Sequence, residues 1–476
     1  MINSFRLSAA LAAGKAAGVA SRLFRGGGGT TIPGVVARRI APDTLRQLSA
    51  RLPQGVIVVG GTNGKTTTTR MIAAILHADG RQVLHNRAGA NLLTGLTSTA
   101  LAGASLLGRL QADTGLFETD EAALPDALAE TQPRLVVLHN LFRDQLDRYG
   151  EVDTIASRWR GALQQLPATS TVLLNADDPA IADLGAGLQA QVRYYGLEDT
   201  RHASSATAHI ADSQFCQRCG TPYVYDPLFY AHIGHYACPN CGHRRPVPEY
   251  RLERLDLDGT TGSRLLLTYP GGALEIRLPL PGLYNATNAL AAAAAALLLG
   301  VPPARVRDTL EHFSAAFGRI ERINADGKPL FMALIKNPVG ASETVRMLTQ
   351  SAGDLDNSKL KPQTSELYLL IAINDRYADG TDVSWLWDAD FEQLGGRVAH
   401  AVVSGTRAAD MAVRLKYAGV EPARVQTEPD LARALDTALK QLPNGATLYA
   451  LPTYTAMLEL REELVRRGWV RPFWED

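Results

Sequence analysis

The chain lacks an excess of either charge. Its 476 residues include 48 lysines and arginines and 48 aspartates and glutamates, so the formal net charge at pH 7 is zero. A protein that binds nucleic acid over a broad surface usually carries a basic excess, so this balance disfavours that class. Hydrophobic residues make up 46% and charged residues 20% of the chain, which is a normal globular mixture. The length predicts two or three domains.

Long apolar runs are also missing. No run approaches the roughly 20 residues that a membrane-spanning helix requires. The alanine-rich residues 7–20 follow Arg6 in the manner of a secretory signal, but Lys15 interrupts them. We therefore expect an amphipathic or peripheral N-terminal helix, followed by a flexible glycine stretch at residues 26–29. The expected location is the cytoplasm, with peripheral attachment to the inner face of the membrane left open.

Cysteines are few and form no scattered disulfide framework. All four lie in one segment, at Cys216, Cys219, Cys238 and Cys241. Two C-x-x-C pairs separated by 18 residues match the spacing of a tetrahedral zinc site, and four thiolates leave no open position for water. The segment predicts a structural zinc ribbon, with free or redox-active thiols as the alternative. The nearby histidines are expected to be hydrogen-bonded or surface residues: His232, His235 and His243.

Short apolar runs alternate with helical or loop sequence over most of the chain. This rhythm predicts an α/β fold with mostly parallel sheets covered by helices. The predicted strands are residues 56–59, 135–138, 171–174, 264–269, 274–278, 367–373, 399–403 and 447–451. The fourth and fifth of these are expected to form a hairpin. An alanine-rich helix is predicted over residues 288–299, and a second α/β series from about Lys328.

The strongest catalytic signal is the run GGTNGKTT at residues 60–67, which lies between a β-branched strand and an amphipathic helix. In that context backbone N–H groups converge on phosphate oxygens at the helix N-terminus. Lys65 would supply positive charge to the β- and γ-phosphates, and Thr66 a hydroxyl to Mg²⁺. The common G-x-x-x-x-G-K-[ST] pattern needs a glycine at Val59, so this loop is a variant. An ordinary glycine-rich turn leaves the Lys-Thr pair unexplained, so we predict that the loop binds a nucleoside triphosphate.

The loop resembles that of the Mur ligases and folylpolyglutamate synthases, and further segments match this family in the same order. They are LFETDE at 116–121, NLFRDQLD at 140–147, NADDP at 175–179, GLYNATNA at 282–289 and FGRIE at 317–321. Six motifs in register over roughly residues 55–325 identify a member of the family. The resemblance implies that the chain uses ATP and Mg²⁺ to convert a carboxylate into an acyl phosphate, which an amine then attacks.

The resemblance also implies roles for individual residues. Glu118 would bind Mg²⁺ together with Thr66. Asn285 would contact adenine, and Arg319 the sugar or phosphates. Lys336 would contact the nucleotide or the intermediate, although a surface lysine is an equal alternative. The nucleotide-binding loop would comprise Gly61, Thr62, Asn63, Gly64, Lys65, Thr66 and Thr67.

The chain departs from the family at two metal-binding positions. Gln145 replaces the family's histidine, and no lysine lies between Lys65 and Lys328, where many members carry a carbamylated lysine. A second Mg²⁺ is therefore held differently or is absent. The domains expected from the resemblance are an N-terminal helical or linker segment (1–54), a central Mur-ligase ATP-binding domain (55–325, with the ribbon inserted at about 205–250) and a C-terminal Rossmann-like, partner-binding domain (326–476).

Three features resemble one branch of the family, which amidates lipid II. They are the four-cysteine insert, NDRYADGTDVSW at 374–385 and KNP at 336–338. This resemblance implies a heterodimer with a glutaminase subunit of the GatD type, which converts the α-carboxylate of D-glutamate in the stem peptide to the amide of D-isoglutamine. Cysteine usage agrees independently, because glutamine hydrolysis normally requires a nucleophilic cysteine. With all four assigned to zinc, the chain must use free ammonia, an amine, or ammonia from a partner.

An acidic loop follows the strand predicted at 367–373. Its simplest interpretation is a polar loop anchored by Trp385 and Trp387. The branch resemblance implies instead that Asp382 orients the partner's catalytic histidine in a Cys-His-Asp triad, although Asp375 and Asp379 are open alternatives.

Other residues and functions are also open. Three residues could serve an anionic substrate, though solvated arginine is the commoner case: Arg87, Asn91 and Arg143. Two other functions are a ligase that adds a whole amino acid and a scaffold that only binds ATP.

Overall fold

The computed structural model describes residues 2–24, 31–86, 90–143, 152–204, 212–314, 320–349 and 366–471. The helices in these ranges are α1 (Ile2–Phe24), α2 (Ile32–Ile40), α3 (Thr44–Ser49), α4 (Lys65–Ala78), α5 (Leu93–Gly103), α6 (Leu124–Thr131), α7 (Val152–Leu163), α8 (Pro179–Asp183), α9 (Leu283–Leu298), α10 (Pro303–Glu311), α11 (Pro338–Thr349), α12 (Ala408–Tyr417), α13 (Leu431–Gln441) and α14 (Tyr454–Arg466). Short 3-10 helices include Ser384–Trp387.

The strands are β1 (Val56–Gly60), β2 (Val83–His85), β3 (Thr114–Glu118), β4 (Leu135–Leu138), β5 (Thr171–Asn175), β6 (Gln191–Leu197), β7 (Val224–Tyr230), β8 (Ile233–Ala237), β9 (Tyr250–Leu257), β10 (Ser263–Tyr269), β11 (Gly272–Leu278), β12 (Ile320–Ala325), β13 (Lys328–Ala333), β14 (Leu367–Ala372), β15 (Val398–Ser404), β16 (Val425–Thr427) and β17 (Leu448–Pro452). All eight strands named from the sequence are present, each within about two residues of its predicted bounds.

A nine-stranded sheet forms the larger part of the fold. Its order is β11-β10-β9-β6-β5-β4-β1-β3-β2. The strands from β9 through β2 in that order run parallel, whereas β9, β10 and β11 form an antiparallel meander. Helices α4, α9 and α10 contribute to the apolar core on one face, and the other face packs against α1 to α3 and α5 to α7. Apolar runs such as 56–60 are buried throughout, as strands covered on both faces require.

A six-stranded sheet forms the second part, in the order β12-β13-β17-β14-β15-β16. It is parallel except for the antiparallel pair β12 and β13. The second series therefore starts at Ile320, before the position near Lys328 predicted from the sequence. The hairpin between these strands turns at Asp326 and Gly327, with φ of 53° and 80°. Two positive φ values are typical of a tight Asp-Gly hairpin turn, and the Asp-Gly dipeptide is the sequence signal for this hairpin.

Two other predictions change in detail. The alanine-rich helix α9 starts at Leu283 rather than at residue 288, directly after Gly282, whose φ is 91°. The described residues before β1, 2–24 and 31–55, are largely helical as predicted. Their helices contribute to the core, with Leu7, Leu11 and Leu45 buried against the sheet. The glycine stretch at 26–29 lies outside the described residues, and the three domain boundaries stay predictions. Within the described ranges, no helix has the length and apolar character needed to cross a membrane.

Candidate functional site

The glycine-rich loop lies at the carboxyl end of β1, as the sequence predicts. Helix α4 begins at Lys65, immediately after Gly64, whose φ is 90°. A Cβ atom at Gly64 would lie 2.2 Å from Oδ1 of Asn288, and one at Gly61 would lie in a position with φ of 132°. Both positions therefore favour glycine, because a side chain would strain the backbone and would collide with α9 at Gly64 and with His139 at Gly61. The first N–H groups of α4 point out of its N-terminal end, where the motif predicts that an anion binds.

The Lys65 ammonium group is held in place by the loop and by one acidic side chain. It donates to Oε1 of Glu121 at 2.9 Å, to the carbonyl oxygen of Thr62 at 3.2 Å and to that of Gly61. The Lys65 and Glu121 side chains are only 9% and 7% exposed. The indole of Trp159 donates to the Glu121 carbonyl at 2.8 Å, which fixes the turn that carries the acid. No sequence motif predicts a role for Glu121. The one feature that marks it in the sequence is its place three residues after Glu118.

Glu118 lies at the carboxyl end of β3, beside the end of β1. It pairs with Val59, and parallel neighbours end at the same edge of a sheet, so the carboxylate is near the loop. The main chain of Glu118 is clamped by Asn86, which accepts from its N–H and donates to its carbonyl, both at 2.9 Å. Glu118 is buried. The structure therefore brings Glu118 and the helix start that carries Thr66 to one edge.

The segment after β4 is hydrogen-bonded directly to the phosphate loop. Asn140 accepts from the N–H of Asn63 at 2.8 Å and donates to its carbonyl at 3.2 Å. Thr62 donates its N–H to the Asn140 carbonyl at 2.9 Å, and its hydroxyl accepts from the N–H of Phe142 at 3.1 Å. The two loops therefore form one rigid unit. Gln145 and the rest of the predicted metal-binding segment lie outside the described residues.

His139 is a buried histidine behind the loop. Burial, with a smaller contribution from the Lys65 charge, lowers the pKa of His139 to about 3. Its Nδ1 atom lies 2.9 Å from the Tyr195 hydroxyl, and its Nε2 atom has no hydrogen-bond partner. The ring is therefore neutral at physiological pH and does not compete with Lys65 for an anion.

A cleft of about 860 Å³, counted to its open mouth, lies between the two sheets. The phosphate loop lines it through Asn63, Gly64 and Thr67, and aromatic side chains line it at Phe142, Tyr230 and Tyr284. Its lining residues are Asn63, Gly64, Thr67, Asn140, Phe142, Tyr230, Leu280, Tyr284, Asn285, Thr287, Asn288, Ile320, Leu334, Lys336, Val339, Gly340, Glu343 and Thr344. A cleft at the carboxyl ends of parallel strands, between two sheets, is a usual place for a cofactor or substrate.

Predicted nucleotide contacts from both sheets meet in this cleft. Asn285 and Lys336 both line it. Asn337, the next residue along the chain, donates to Oδ1 of Asn63 in the phosphate loop at 3.0 Å. This bond joins residues that are 274 positions apart, so the smaller sheet contacts the loop directly. Arg319 lies outside the described residues.

The four cysteines come together as predicted. Their Sγ atoms all lie within 4.8 Å of one another, with Cys216 to Cys241 at 3.6 Å and Cys219 to Cys238 at 3.4 Å. Four sulfurs around a tetrahedral ion, with bonds of about 2.3 Å, would be about 3.8 Å apart. The donor set and its spacing therefore fit a structural metal ion, and no disulfide is formed among the four.

The ribbon histidines are hydrogen-bonded, as predicted. His235 Nε2 lies 2.8 Å from the Leu197 carbonyl oxygen, and His232 lies 3.1 Å from the Asp178 carboxylate. These two contacts attach the ribbon to the large sheet. Nδ1 of His243 lies 2.7 Å from the hydroxyl of Tyr223, another ribbon residue, and 3.9 Å from Sγ of Cys216.

The three aspartates of the acidic loop differ in exposure and in contacts. Asp379 is buried and accepts from the N–H of Thr455 at 2.7 Å and from its hydroxyl at 2.5 Å, so it caps α14. Asp375 accepts from the Thr406 hydroxyl at 2.8 Å. Asp382 is exposed, and hydrogen bonds from Ser384, first from its backbone N–H at 2.8 Å, lower the pKa of Asp382. Asp382 is therefore an ionised carboxylate at the surface.

Of the three residues suggested for an anionic substrate, two lie in the described ranges. Arg143 is half-exposed and pairs with Asp212 at 3.5 Å. The Asn91 carbonyl accepts from the N–H of Asp120 at 3.0 Å. Arg87 lies outside the described residues. Their role in substrate binding stays a prediction.

Comparison with known families and structures accounts for both parts of the chain. Residues 59–236 match the model of the Mur ligase middle domain, and residues 334–457 match that of the MurT ligase C-terminal domain. Among solved structures, a pseudomurein peptide ligase type C from Methanothermus fervidus aligns with a TM-score of 0.65 at 19% identity, over 90% of this chain and 81% of that one. MurF from Thermotoga maritima, solved with ADP, aligns with a TM-score of 0.61 at 12% identity, over 90% and 85%. The fold is that of a Mur-type ligase.

Two similar proteins narrow the class from Mur-type ligases in general to one family. The MurT subunit of the glutamine-hydrolysing lipid II isoglutaminyl synthase of Streptococcus pneumoniae is 36% identical, over 94% of this chain and 95% of that subunit. The corresponding MurT subunit of Staphylococcus aureus is 33% identical, over 92% and 93%. The chain belongs to the MurT family of Mur-type ligases.

Proposed function

We propose that this chain is the synthetase subunit of a lipid II isoglutaminyl synthase, which uses ATP to amidate the α-carboxylate of D-glutamate in the lipid II stem peptide. One observation supports the ATP-dependent part: the phosphate loop, whose Lys65 is paired with Glu121, lines a cleft that residues from both parts of the chain complete. The named MurT relatives support the substrate and product. The chain would bind its substrate, lipid II, at the membrane surface.

The cleft suggests how the nucleotide lies. The phosphates would be placed at the start of α4, where backbone N–H groups and Lys65 provide positive charge. Adenine would lie near Asn285 and Tyr284, which line the same cleft. Lys336 would contact the nucleotide or the intermediate from the smaller sheet, and Arg319 the sugar or phosphates.

The proposed reaction has two steps. A carboxylate oxygen of the substrate attacks the γ-phosphorus of ATP, and the bond to the β,γ-bridging oxygen breaks to release ADP. Ammonia then attacks the carbon of the acyl phosphate, and inorganic phosphate leaves with formation of the amide. Lys65 neutralises negative charge as the phosphoryl group transfers. The Thr66 hydroxyl and the Glu118 carboxylate would hold Mg²⁺, which would supply further charge neutralisation, and both oxygens suit that ion.

The metal of the ribbon is proposed to be zinc with a structural role. Four cysteine sulfurs at tetrahedral spacing leave no open position for water or substrate. Metal analysis of the purified chain should find zinc, and Cys219→Ser should lower both the zinc content and the melting temperature. A chain that is fully stable without metal would contradict this role.

The ammonia would come from a glutaminase partner of the GatD type. Every cysteine of the chain belongs to the proposed zinc site, so none is left as a nucleophile for glutamine hydrolysis. Asp382 would orient the partner's catalytic histidine across the interface. Its exposure supports this choice, because Asp379 is buried in the cap of α14 and Asp375 is bonded to Thr406.

One reconstitution tests the proposal. The chain is purified with and without a candidate glutaminase, given lipid II, ATP and either glutamine or ammonium, and the stem peptide is analysed by mass spectrometry. Conversion of acid to amide with ammonium alone, and with glutamine only in the presence of the partner, is the expected result. Addition of a whole amino acid would show a different Mur-type ligase. ATP binding without any turnover would show a scaffold.

A further inference from the structure

The tip of the β7–β8 hairpin reaches from the cysteine ribbon into the nucleotide cleft. We define this hairpin tip as residues 229–233. Phe229, Tyr230 and Ile233 are buried in the same apolar core as α4 and α9, whereas Cys216 and Cys238 lie in a separate small cluster with Tyr223 and Tyr236. The ribbon is therefore attached through its hairpin tip to the core beneath the ligase site.

The hairpin tip contacts the back of the phosphate loop. His232 shares the Asp178 carboxylate with the N–H of Leu141, at 3.1 Å and 2.9 Å. The His232 and Asp178 side chains are both fully buried. The His232 ring lies 4.7 Å from the Phe142 ring, centre to centre, and Phe142 donates its N–H to the Thr62 hydroxyl of the loop. A displacement of the hairpin tip would therefore change the position of the phosphate loop.

The smaller sheet holds the same tip from the other side. Arg346 on α11 donates to the Phe229 carbonyl at 2.8 Å and to the His202 carbonyl at 2.9 Å. Its guanidinium group also lies 3.7 Å from Glu343, and their side chains are only 12% and 7% exposed. A planar guanidinium fork can hold two carbonyl oxygens at once, which an ammonium group does less rigidly. The tip is thus fixed between the two parts of the chain.

Tyr230 is the hairpin-tip residue that lines the cleft, together with Asn285, Thr287 and Glu343. Burial raises the pKa of Tyr230, so the hydroxyl stays neutral and its ring presents an apolar surface beside a polar group. That combination suits a nucleoside better than a phosphate.

We infer that Tyr230 contacts the nucleoside part of ATP, and that Arg346 and His232 are positioning residues that hold the hairpin tip at the cleft. The inference rests on the proposed function, because it assumes that the cleft binds ATP. It gives the ribbon insert a role in the ligase site in addition to its metal. A purely structural ribbon would affect the folded fraction of the protein but not the affinity of the folded protein for nucleotide.

The test measures nucleotide affinity and steady-state kinetics on the full chain with its glutaminase partner. A non-hydrolysable ATP analogue is titrated calorimetrically, and KM for ATP and kcat are measured with saturating ammonium. Tyr230→Ala should weaken analogue binding roughly tenfold, and Arg346→Gln should raise KM for ATP several-fold with a smaller effect on kcat. Arg346→Lys should be intermediate, because it keeps the charge but not the fork.

The matched control is Tyr225→Ala. Tyr225 lies on the same hairpin, but its hydroxyl donates to the Ser213 carbonyl and its ring packs on the ribbon tyrosines, away from the cleft. The Tyr225→Ala variant should leave binding of the ATP analogue unchanged. Zinc content and melting temperature are measured for each variant. If Tyr230→Ala has a lower zinc content or a lower melting temperature than the wild type, Tyr230→Leu replaces it in every comparison, because leucine keeps apolar volume.

The failure of this inference differs from the failure of the proposed function. If the wild-type chain binds no ATP analogue, or if Lys65→Ala binds it as tightly as the wild type, the proposed function fails. If Lys65→Ala weakens binding while Tyr230→Leu and Arg346→Gln keep the wild-type dissociation constant and KM, only the inference about the hairpin tip is overturned. A drop in kcat with unchanged KM in the hairpin-tip variants also overturns it.

Discussion

Two loops follow parallel strands near the middle of the two sheets, and they are built in opposite ways. The phosphate loop after β1 encloses a buried ion pair, with Lys65 and Glu121 each less than a tenth exposed. The acidic loop after β14 presents its groups to solvent, where Tyr377 is 84% exposed and Asp382 is ionised at the surface. Both loops begin at the same topological position, the carboxyl end of a strand.

The difference separates two kinds of recognition. A buried cation at the N-terminal end of a helix is arranged for a small anion, since electrostatic interactions strengthen where water is excluded. An exposed acid beside exposed aromatic side chains is suited to a protein surface, where aromatic residues contribute much of the binding energy. The larger sheet would therefore activate the carboxylate, and the smaller would contact the ammonia source. The following predictions test that division.

Lys65→Ala should have the largest effect. We expect amidation to fall roughly 100-fold or more with both glutamine and ammonium, because the charge that stabilises phosphoryl transfer is lost whatever the nitrogen source. Release of phosphate and amidated stem peptide is measured with each donor. Lys440→Ala, at an exposed helix position, is the matched control. A variant that loses activity only with glutamine would break the proposed division. Because Glu121 is left buried without this partner, the melting temperature is checked as well.

Asp382→Asn should separate the two nitrogen sources. We expect glutamine-driven amidation to fall at least about tenfold, because an amide cannot orient and stabilise a protonated histidine as a carboxylate does. Ammonium-driven amidation should stay at the wild-type rate. The ratio of the two rates, measured with the partner at saturation, is the readout. Equal losses with both donors would rule out the assignment of Asp382 to the partner's triad.

Asp379→Ala is the counterpart of the preceding variant on the same loop. It removes two hydrogen bonds to Thr455 at the start of α14, so we expect the free energy of unfolding to fall by about 1 to 3 kcal/mol. Denaturant unfolding measures the loss. Activities with glutamine and ammonium should decline together, in proportion to the folded fraction. A selective loss with glutamine would instead make Asp379 the residue that serves the partner.

His139→Gln should have the smallest effect on amidation, and its effect on stability should be confined to acidic pH. The pKa of His139 is about 3 in the folded chain, below its ordinary value of 6.5, so only the unfolded chain gains this proton as the pH falls below about 6.5. Stability therefore drops towards low pH, by at most about 1.4 kcal/mol per pH unit from this residue. The variant should show a shallower loss of stability between pH 6.5 and about pH 4. His77→Gln, at an exposed position, is the matched substitution. Identical acid profiles for His139→Gln and the wild type would contradict the buried, neutral histidine.

Local patterns were enough to predict eight of the strands, the phosphate loop and the cysteine cluster. They did not predict the interior strands β3, β6 and β9, nor β12, whose pairing depends on the Asp326-Gly327 turn. The alternatives for the acidic loop also stayed open, because three aspartates within eight residues look equivalent in sequence. Their burial and partners distinguish them, since only the fold brings Thr455 to Asp379 and Thr406 to Asp375.

The sequence by itself determined the features written in contiguous residues: a Gly-Lys-Thr loop after an apolar strand, and paired C-x-x-C motifs that contain all four cysteines of the chain. Tertiary structure alone decided which distant groups complete them. Glu121 meets Lys65 across 56 positions, Arg346 meets Phe229 across 117, and Asn337 meets Asn63 across 274. The physical reason is that backbone hydrogen bonding and apolar periodicity act over a few residues, whereas burial forces each polar group to find its partner wherever the packed sheets place one.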